Sequence, residues 1–187
     1  MMSIQNASPY SPTHSNNQPP KFNALAMGMA IKSMYEQGRK DFNCENLAGL
    51  KLSCCKLPSI SLNSSDLRDA DLDLTDLSGA NLQGANLERS TLSFTNLRRA
   101  NLSNANLQGA NLSGADLQGA LLRGANLQNA NLRGANLSHA YLEFADLQGA
   151  DLTGANCFGC NLSYSKISDT DFTDVNLNRA NLVGTGF

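Results

Sequence analysis

Two cysteines near the C-terminal end of the sequence have the spacing of a redox or metal-binding motif. The segment from Cys157 to Cys160 reads CFGC. Cysteines at this spacing can exchange a disulfide or supply half of a tetrahedral zinc site. No second CxxC pair and no pair of histidines completes such a site in the sequence. Since free cysteine is also a common small core residue, we expect both side chains to fill the interior.

The remaining polar residues do not form a recognisable catalytic group. His14 lies in an N-terminal segment rich in Ser, Asn and Pro, and His139 has no carboxylate or nucleophile placed beside it by the sequence pattern. A general base needs such a partner within hydrogen-bonding reach. Asn or Asp precedes most leucines, but residues that recur everywhere do not make the paired carboxylates of a glycosidase. We therefore expect a protein that is not an enzyme and binds no cofactor or metal.

Leucine recurs at every fifth position from Phe42 to the end of the sequence. Of these 30 positions, 25 are Leu. A period of five fits neither a helix, with a period of about 3.6 residues, nor a strand, with a period of about 2. In a helix, the frequent glycines would also cost about 1 kcal/mol each relative to Ala. The pattern predicts a chain that turns a corner once per repeat, so that four repeats close a square coil of about twenty residues.

The other positions of the repeat also differ in chemistry. The residue two before the leucine is usually Ala, Ser or Thr, which suits a narrow inward position. The residue two after it is often Gly, which suits a turn that needs a positive φ. Cys157 occupies a leucine position and Cys160 a small inward position, so both replace core residues. The glycines that predict corners are Gly109, Gly114, Gly119, Gly124, Gly134, Gly149 and Gly154.

The repeated pattern A(D/N)LXX resembles the pentapeptide-repeat family over about residues 40–187. The resemblance implies an all-β solenoid, a right-handed quadrilateral β-helix, and four repeats per turn give about seven coils. The segment MYEQGRKDF before the repeats is similar to the lead-in of family members of cyanobacterial type. Each inward Leu contributes about 1.5–3 kcal/mol, so the leucines make a sufficient core.

The residues before the repeats predict two further segments. Residues 1–21 contain four prolines and few apolar side chains, so we expect a disordered tail. Residues 22–39 predict one amphipathic helix, which we expect to cap the first coil because a solenoid otherwise leaves its terminal coil uncovered. The repeat domain follows over 40–187. The apolar face of the predicted helix consists of Phe22, Leu25, Ala26, Met29, Ala30 and Met34.

The sequence also carries a prediction about location. No apolar stretch approaches the roughly 18 residues of a membrane span, and no signal peptide is recognisable. The five cysteines are an odd number, which fits a reducing compartment. We therefore expect a cytoplasmic protein without membrane association, although residues 1–21 leave a targeting role open.

One surface of the coil departs from the Asn and Asp pattern. Residues twenty apart lie one above the other, so Leu121 and Tyr141 interrupt a column of asparagines. Phe144 and Tyr164 stack at the neighbouring corner, with Arg123 and Glu143 between them. The exposed side chains of Leu121, Tyr141, Phe144 and Tyr164 predict an interaction surface. Aromatic stacking that only stabilises the coil is the alternative.

The charges of the repeats suggest a second surface and a second function. From Asp41 onward there are 15 acidic and 10 basic residues, a net charge of −5. This balance argues against a general nucleic-acid binder. Our leading prediction is a non-catalytic protein that presents a rod-like surface to a protein partner. The alternative, which the family resemblance implies, is a DNA mimic that binds gyrase or a related topoisomerase. The predicted acidic patch consists of Asp66, Asp69, Asp71, Asp73 and Asp76.

The last repeats predict a contact between two copies of the chain. An open solenoid end has unpaired strand edges and apolar side chains, which invite association. Two rods that meet end to end about a twofold axis would cover both ends. The resemblance supports a homodimer through the C-terminal coil. The residues of this end are Phe172, Leu177, Leu182 and Phe187.

Overall fold

The computed structural model describes residues 21–186, with side chains from residue 24 onward. The predicted tail, apart from residue 21, and Phe187 at the predicted dimer end lie outside these residues. The described part begins with one α-helix, α1, at Lys21–Glu36. A continuous series of repeats joined by isolated parallel β-bridges follows. No helix in the described part is long and apolar enough to cross a membrane.

The bridges establish the predicted coil. Each bridge joins residues twenty positions apart, from Asp41↔Ser61 at the start to Asn161↔Asn181 at the end. Each side of a coil is therefore one bridged residue long, and a turn follows it. The register continues through the described repeats without an insertion. Twenty residues make one coil, and successive coils stack in parallel at about 4.8 Å, the usual spacing of paired strands.

The repeat satisfies its own backbone donors, which explains why a five-residue unit is stable in this shape. Buried or paired backbone N–H groups need an acceptor. In the repeat 111–115 all five have one, and one of those acceptors is the side chain of the Asn that precedes the leucine. The five donors and acceptors are Asn111 N to Ser90 O (3.0 Å), Leu112 N to Asn131 O (2.7 Å), Ser113 N to Asn111 Oδ1 (3.2 Å), Gly114 N to Arg133 O (2.9 Å) and Ala115 N to Leu112 O (3.0 Å).

The core consists of stacked leucines and small residues, as the register predicts. Leu112 is fully buried, and so are its neighbours Leu92 and Leu132 in the coils on either side. Cys157 and Cys160 are both free and buried, which confirms that they fill the core. A hydrogen bond with Cys160 and burial raise the pKa of the Cys157 thiol far above its usual range. No group of residues in the described part could hold a metal ion.

The corners have positive φ angles, as the glycines predict, but several corners carry large side chains. Phe94 has a φ of 54°, and Tyr164 has a φ of 59°, a conformation that costs a non-glycine residue roughly 1–2 kcal/mol. Each lies over a glycine of the next coil. A Cβ on Gly114 would be 2.5 Å from Cε1 of Phe94, and one on Gly184 would be 2.5 Å from Cδ1 of Tyr164. Glycine thus makes room for the ring of the preceding coil.

Helix α1 packs against the first coils, but through a different face from the predicted one. Ala24 is 8% exposed and Ile31 4%, whereas Leu25 is 60% and Met29 67% exposed. The prediction that Leu25 and Met29 face the coil was therefore wrong. The helix ends at Glu36, near the predicted boundary.

Gly28 explains which face of α1 is buried. A Cβ at this position would lie 2.0 Å from the carbonyl oxygen of Lys51, so only glycine allows the two backbones to approach this closely. The contact continues two turns later, where the hydroxyl of Tyr35 donates a hydrogen bond to the carbonyl oxygen of Pro58 at 2.6 Å. The close approach of the two backbones therefore determines which face is buried, although Leu25 and Met29 on another face are larger apolar residues.

Candidate interaction surface

Amide side chains form ladders along the coil that link neighbouring turns. The Nδ2 of Asn106 donates to Oδ1 of Asn86 at 3.1 Å, and Asn126 donates to Asn106 in the same way. The same Oδ1 atoms accept the backbone N–H two residues further on, as in Gln108 N to Asn106 Oδ1 at 3.2 Å. Each Asn therefore binds both the adjacent coil and its own turn.

On one side of the coil, the column of asparagines that accept the turn N–H groups is interrupted. Leu121 and Tyr141 stand between Asn101 and Asn161 in the column of bridged residues. Their side chains are 40% and 49% exposed. Neither side chain has an oxygen where the Asn or Asp oxygen accepts the turn N–H in other repeats.

The interruption leaves two neighbouring backbone donors unpaired. Within residues 21–186, the N–H groups of Arg123 and Glu143 have no hydrogen-bond acceptor. In the intact repeats on this side, the equivalent N–H groups of Ser103 and Ser163 donate to Asn101 and Asn161 at 3.1 and 3.2 Å. The two free donors lie one coil apart, at a spacing of about 4.8 Å.

Other repeats that lack the Asn or Asp do not produce such a pair. The N–H of Ser93 donates to Oδ1 of Asp73 in the preceding coil at 2.7 Å, because Thr91 supplies no acceptor. In the repeat that has Lys56 in place of the Asn, the turn position is Pro58, and proline has no N–H that needs an acceptor. In the described repeats, the N–H groups of Ser53 and Ser168 are also without an acceptor, but they lie in the first and last coils, where neighbouring N–H groups are unpaired as well. Between these terminal coils, over residues 61–160, the backbone N–H groups without an acceptor are those of Arg123 and Glu143.

The neighbouring corner carries the predicted aromatic pair. The rings of Phe144 and Tyr164 stack with centroids 5.5 Å apart and an interplanar angle of 8°. Both residues remain more than half exposed. Leu121 and Tyr141 lie on the same side of the coil, and we call these four residues the aromatic surface. The structure thus brings the four predicted residues together.

Arg123 lies over the ring of Phe144, a contact that the sequence did not indicate. Its Cζ is 5.5 Å from the centroid of the Phe144 ring. It forms no ion pair within the described residues, although Glu143 is the next residue of its column. Instead, Glu143 Oε1 accepts a hydrogen bond from Nδ2 of Asn161 at 2.7 Å. Its Oε2 is buried and has no hydrogen-bond partner in the described part of the chain.

A shallow groove borders the aromatic surface on its N-terminal side. Its volume is about 540 Å³. Most of its lining is polar and can donate hydrogen bonds, and the guanidinium of Arg123 forms one wall. The lining residues are Gln83, Ser103, Asn104, Arg123, Gly124 and Phe144.

The five residues of the predicted acidic patch lie on different sides of one coil, and their charges are largely compensated. Three form ion pairs and two accept hydrogen bonds from neighbouring coils. The bond from Arg68 lowers the pKa of Asp66. These contacts are Asp66 with Arg68 (2.6 Å), Asp69 with Arg89 (3.0 Å), Asp71 with Lys51 (3.6 Å), Asp73 with Ser93 N (2.7 Å) and Asp76 with Asn96 Nδ2 (3.0 Å).

The C-terminal end of the described coils is less covered than the middle. Phe172, Leu177 and Leu182 are half-buried, whereas the leucines at the same position of central coils are fully buried. The bridges end at Asn181. The predicted dimer end thus exposes apolar side chains at three of its four positions, and the fourth lies outside the described residues.

Comparison with known families identifies the repeat. The family model described as Pentapeptide repeats matches in eight copies, over residues 46–79, 55–93, 80–119, 115–154 and 155–186. No curated protein matches the chain.

Solved structures of repeat proteins are also similar to the chain. HetL, a pentapeptide repeat protein involved in heterocyst differentiation regulation in Nostoc sp. strain PCC 7120, is 27% identical, with 81% of this chain and 92% of HetL covered and a TM-score of 0.38. The pentapeptide repeat protein Rfr23 of Cyanothece 51142 is also 27% identical, with coverages of 84% and 93% and a TM-score of 0.32. QnrB1, a plasmid-mediated fluoroquinolone resistance protein, is 22% identical, with coverages of 76% and 78% and a TM-score of 0.45. With TM-scores this low, the superpositions add nothing to the repeat match.

Proposed function

The chain belongs to the pentapeptide-repeat family, and from this premise we propose that it is a non-catalytic binding protein whose aromatic surface contacts a protein partner. Proteins of this family fold as right-handed quadrilateral β-helices, and the twenty-residue period of the bridges agrees with that architecture. The family match points to no enzyme family. We further propose about seven coils over residues 40–187, α1 as a cap on the first coil, and a cytoplasmic location.

The observation that carries the proposal is the interrupted ladder. An Asn at position 121 or 141 would accept a turn N–H, as Asn101 and Asn161 do. Leu121 and Tyr141 forgo this bond and expose apolar area instead. A repeat selected only for stability has no reason to carry them. Exposed apolar side chains beside unpaired donors are the features of a contact surface.

Aromatic stacking alone does not account for this surface. Phe144 and Tyr164 do stack on each other, and this contact stabilises the corner. Leu121 and Tyr141, however, form no ring pair or cation–π contact within the described residues. Their replacement of the ladder asparagines therefore needs a separate explanation, which a bound partner supplies.

Affinity purification from cells that make the protein tests the proposal. The test variant combines Leu121→Asn with Tyr141→Asn, and we call it the ladder-repair variant. It restores the acceptors for both turn N–H groups and should preserve the fold. The matched control, Asn111→Asp, alters the opposite side and keeps an acceptor oxygen. We expect a partner to be captured by the wild type and the control and to be lost with the ladder-repair variant. Equal capture by all three would contradict the aromatic surface.

The same experiment tests the DNA-mimic alternative. The excess of acidic residues supports that alternative, and their compensation by neighbouring cations weakens it. A mimic of a duplex would bind gyrase or a related topoisomerase through charge over the whole rod. Capture of a topoisomerase by all three proteins, with a steep loss at high salt, would favour the mimic.

We also propose that the exposed C-terminal end supports a homodimer. Phe172, Leu177 and Leu182 are each half-buried at this end, and contact with a second copy would cover them. Light scattering over a dilution series should show a dimer that dissociates on dilution. Leu177→Asp should shift the mass to that of a monomer, with Asn178→Asp as the neighbouring control. A monomeric wild type at high micromolar concentration would remove the dimer.

A further inference from the structure

We propose that Arg123 and the free N–H groups beside it form a site for carboxylates, so that the partner binds through an acidic segment with adjacent apolar side chains. The inference rests on the proposed function and specifies the chemistry of the partner. Three independent features of the aromatic surface support it: the free backbone donors, the guanidinium without an ion-pair partner in the described residues, and the exposed apolar side chains of the same repeats.

The free donors show where a partner's oxygen atoms would lie. In intact repeats, an Asn or Asp oxygen accepts this turn N–H at about the distance seen for Asn101 Oδ1 and Ser103 N, 3.1 Å. Native aspartates fill the same role, as Asp151 Oδ1 does for Thr153 N at 2.9 Å. A carboxylate oxygen is therefore an established acceptor at this position of the repeat. At Arg123 and Glu143, where the chain supplies no acceptor, an oxygen from a partner would take this role.

Arg123 supplies the charge that selects a carboxylate over a neutral acceptor. Its guanidinium lies over the Phe144 ring, and stacking on an aromatic face orients the group while leaving its N–H edge free. Arg binds a carboxylate through two parallel hydrogen bonds. Since Arg123 has no ion-pair partner within residues 21–186, this capacity is unused.

The groove and the apolar side chains define the rest of the occupant. Gln83, Ser103 and Asn104 line the groove on the other side of Arg123 and add hydrogen-bond donors. Leu121 and Tyr141 offer apolar contact directly beside the free donors. The surface therefore fits a protein segment in which Asp or Glu stands next to apolar residues.

The carboxylate of Glu143 opposes a bound carboxylate, and it provides a sharp test. Its side chain is held by Asn161, and its Oε2 is buried without a partner. Its negative charge lies in the column next to Arg123 and reduces the attraction for an anion. Removal of this charge by Glu143→Gln should strengthen binding, which a merely structural role of the column would not do.

Selection from a phage-displayed library of random twelve-residue peptides on the full-length protein tests the inference. We expect the enriched peptides to contain Asp or Glu beside apolar residues. A synthetic copy of the strongest peptide is then titrated against variants. Arg123→Gln should weaken binding at least about tenfold, because hydrogen bonds to charged groups are the stronger kind. Arg123→Lys should recover part of the affinity, and Glu143→Gln should increase it.

Several outcomes separate the inference from the proposed function. If the ladder-repair variant loses the peptides while Arg123→Gln binds as the wild type does, the surface stands and the carboxylate site is wrong. If the ladder-repair variant and Arg123→Gln both bind the peptides as tightly as the wild type does, the aromatic surface and the carboxylate site are both wrong. Enrichment of basic or uncharged peptides, or of no peptide, overturns the inference. The control for loss of one surface charge is Arg133→Gln. Arg133 lies on the opposite side of the coil and pairs with Asp151.

Discussion

Leu112→Asp should unfold the coils around it, with a loss of more than about 4 kcal/mol in the free energy of unfolding. Leu112 is fully buried between Leu92 and Leu132, so the variant loses the burial of one leucine, worth about 1.5–3 kcal/mol. It also places a carboxylate where no described cation or donor can reach it, at a cost of several kcal/mol. Urea denaturation followed by circular dichroism measures the change.

The control for this variant is Asn111→Asp, one residue earlier. The same new side chain then points outward and keeps an oxygen for the N–H of Ser113, so the change should stay within about 0.5 kcal/mol. Burial raises the pKa of an introduced Asp above its unfolded value of about 3.9. The penalty should therefore be smallest near pH 4 and grow as the pH rises. Equal stability of the two variants would refute the inward assignment.

Gly28→Ala should displace α1 from the first coils, although alanine is the better helix former by about 1 kcal/mol. Its Cβ would lie 2.0 Å from the carbonyl oxygen of Lys51, and overpacking of this kind costs about 1–3 kcal/mol. The backbone carbonyl cannot move aside, because Lys51 is bridged to Asp71. We expect a lower melting temperature and aggregation, because the first coil becomes exposed.

Met29→Ala is the matched control on the same helix. Met29 is 67% exposed, so its truncation should leave the melting temperature nearly unchanged. Light scattering during thermal unfolding distinguishes the two variants. If Gly28→Ala were as stable as the wild type and did not aggregate, the proposal that α1 caps the first coil would fail.

The coil itself could be predicted because the same residue types recur at the same positions of every five-residue repeat. The leucine period predicts the inward column, and the glycines predict the positive φ angles found at Gly114 and Gly124. The burial of Cys157 and Cys160 follows from the same register. Each of these features depends only on neighbours within the repeat or one coil away.

The buried face of α1 could not be predicted from hydrophobicity. Leu25 and Met29 are larger apolar residues than Ala24, yet a close approach of two backbones at Gly28 determines the orientation of the helix. A glycine inside a helical pattern was the available signal. The contact between α1 and the coil is a tertiary contact, so the periodicity of the helix sequence does not show which face of the helix makes it.

The aromatic surface was predictable, but its donors were not. The break in the asparagine column at Leu121 and Tyr141 is visible in the sequence. The N–H groups of Arg123 and Glu143 are free because the Asn oxygen is missing. This consequence can be recognised only when the structure shows that the Asn side chain accepts the turn N–H. The position of Arg123 over Phe144 depends on a rotamer that no spacing indicates.

The ladder-repair variant, Leu121→Asn with Tyr141→Asn, tests the central claim most directly when its stability and its binding are measured together. Its affinity for the captured partner is determined by calorimetry, and its melting temperature is compared with that of the wild type. The account predicts a melting temperature at or above that of the wild type, because two turn donors regain an acceptor, and an affinity at least about tenfold lower. A variant that melts earlier and binds the partner as tightly as the wild type would contradict it.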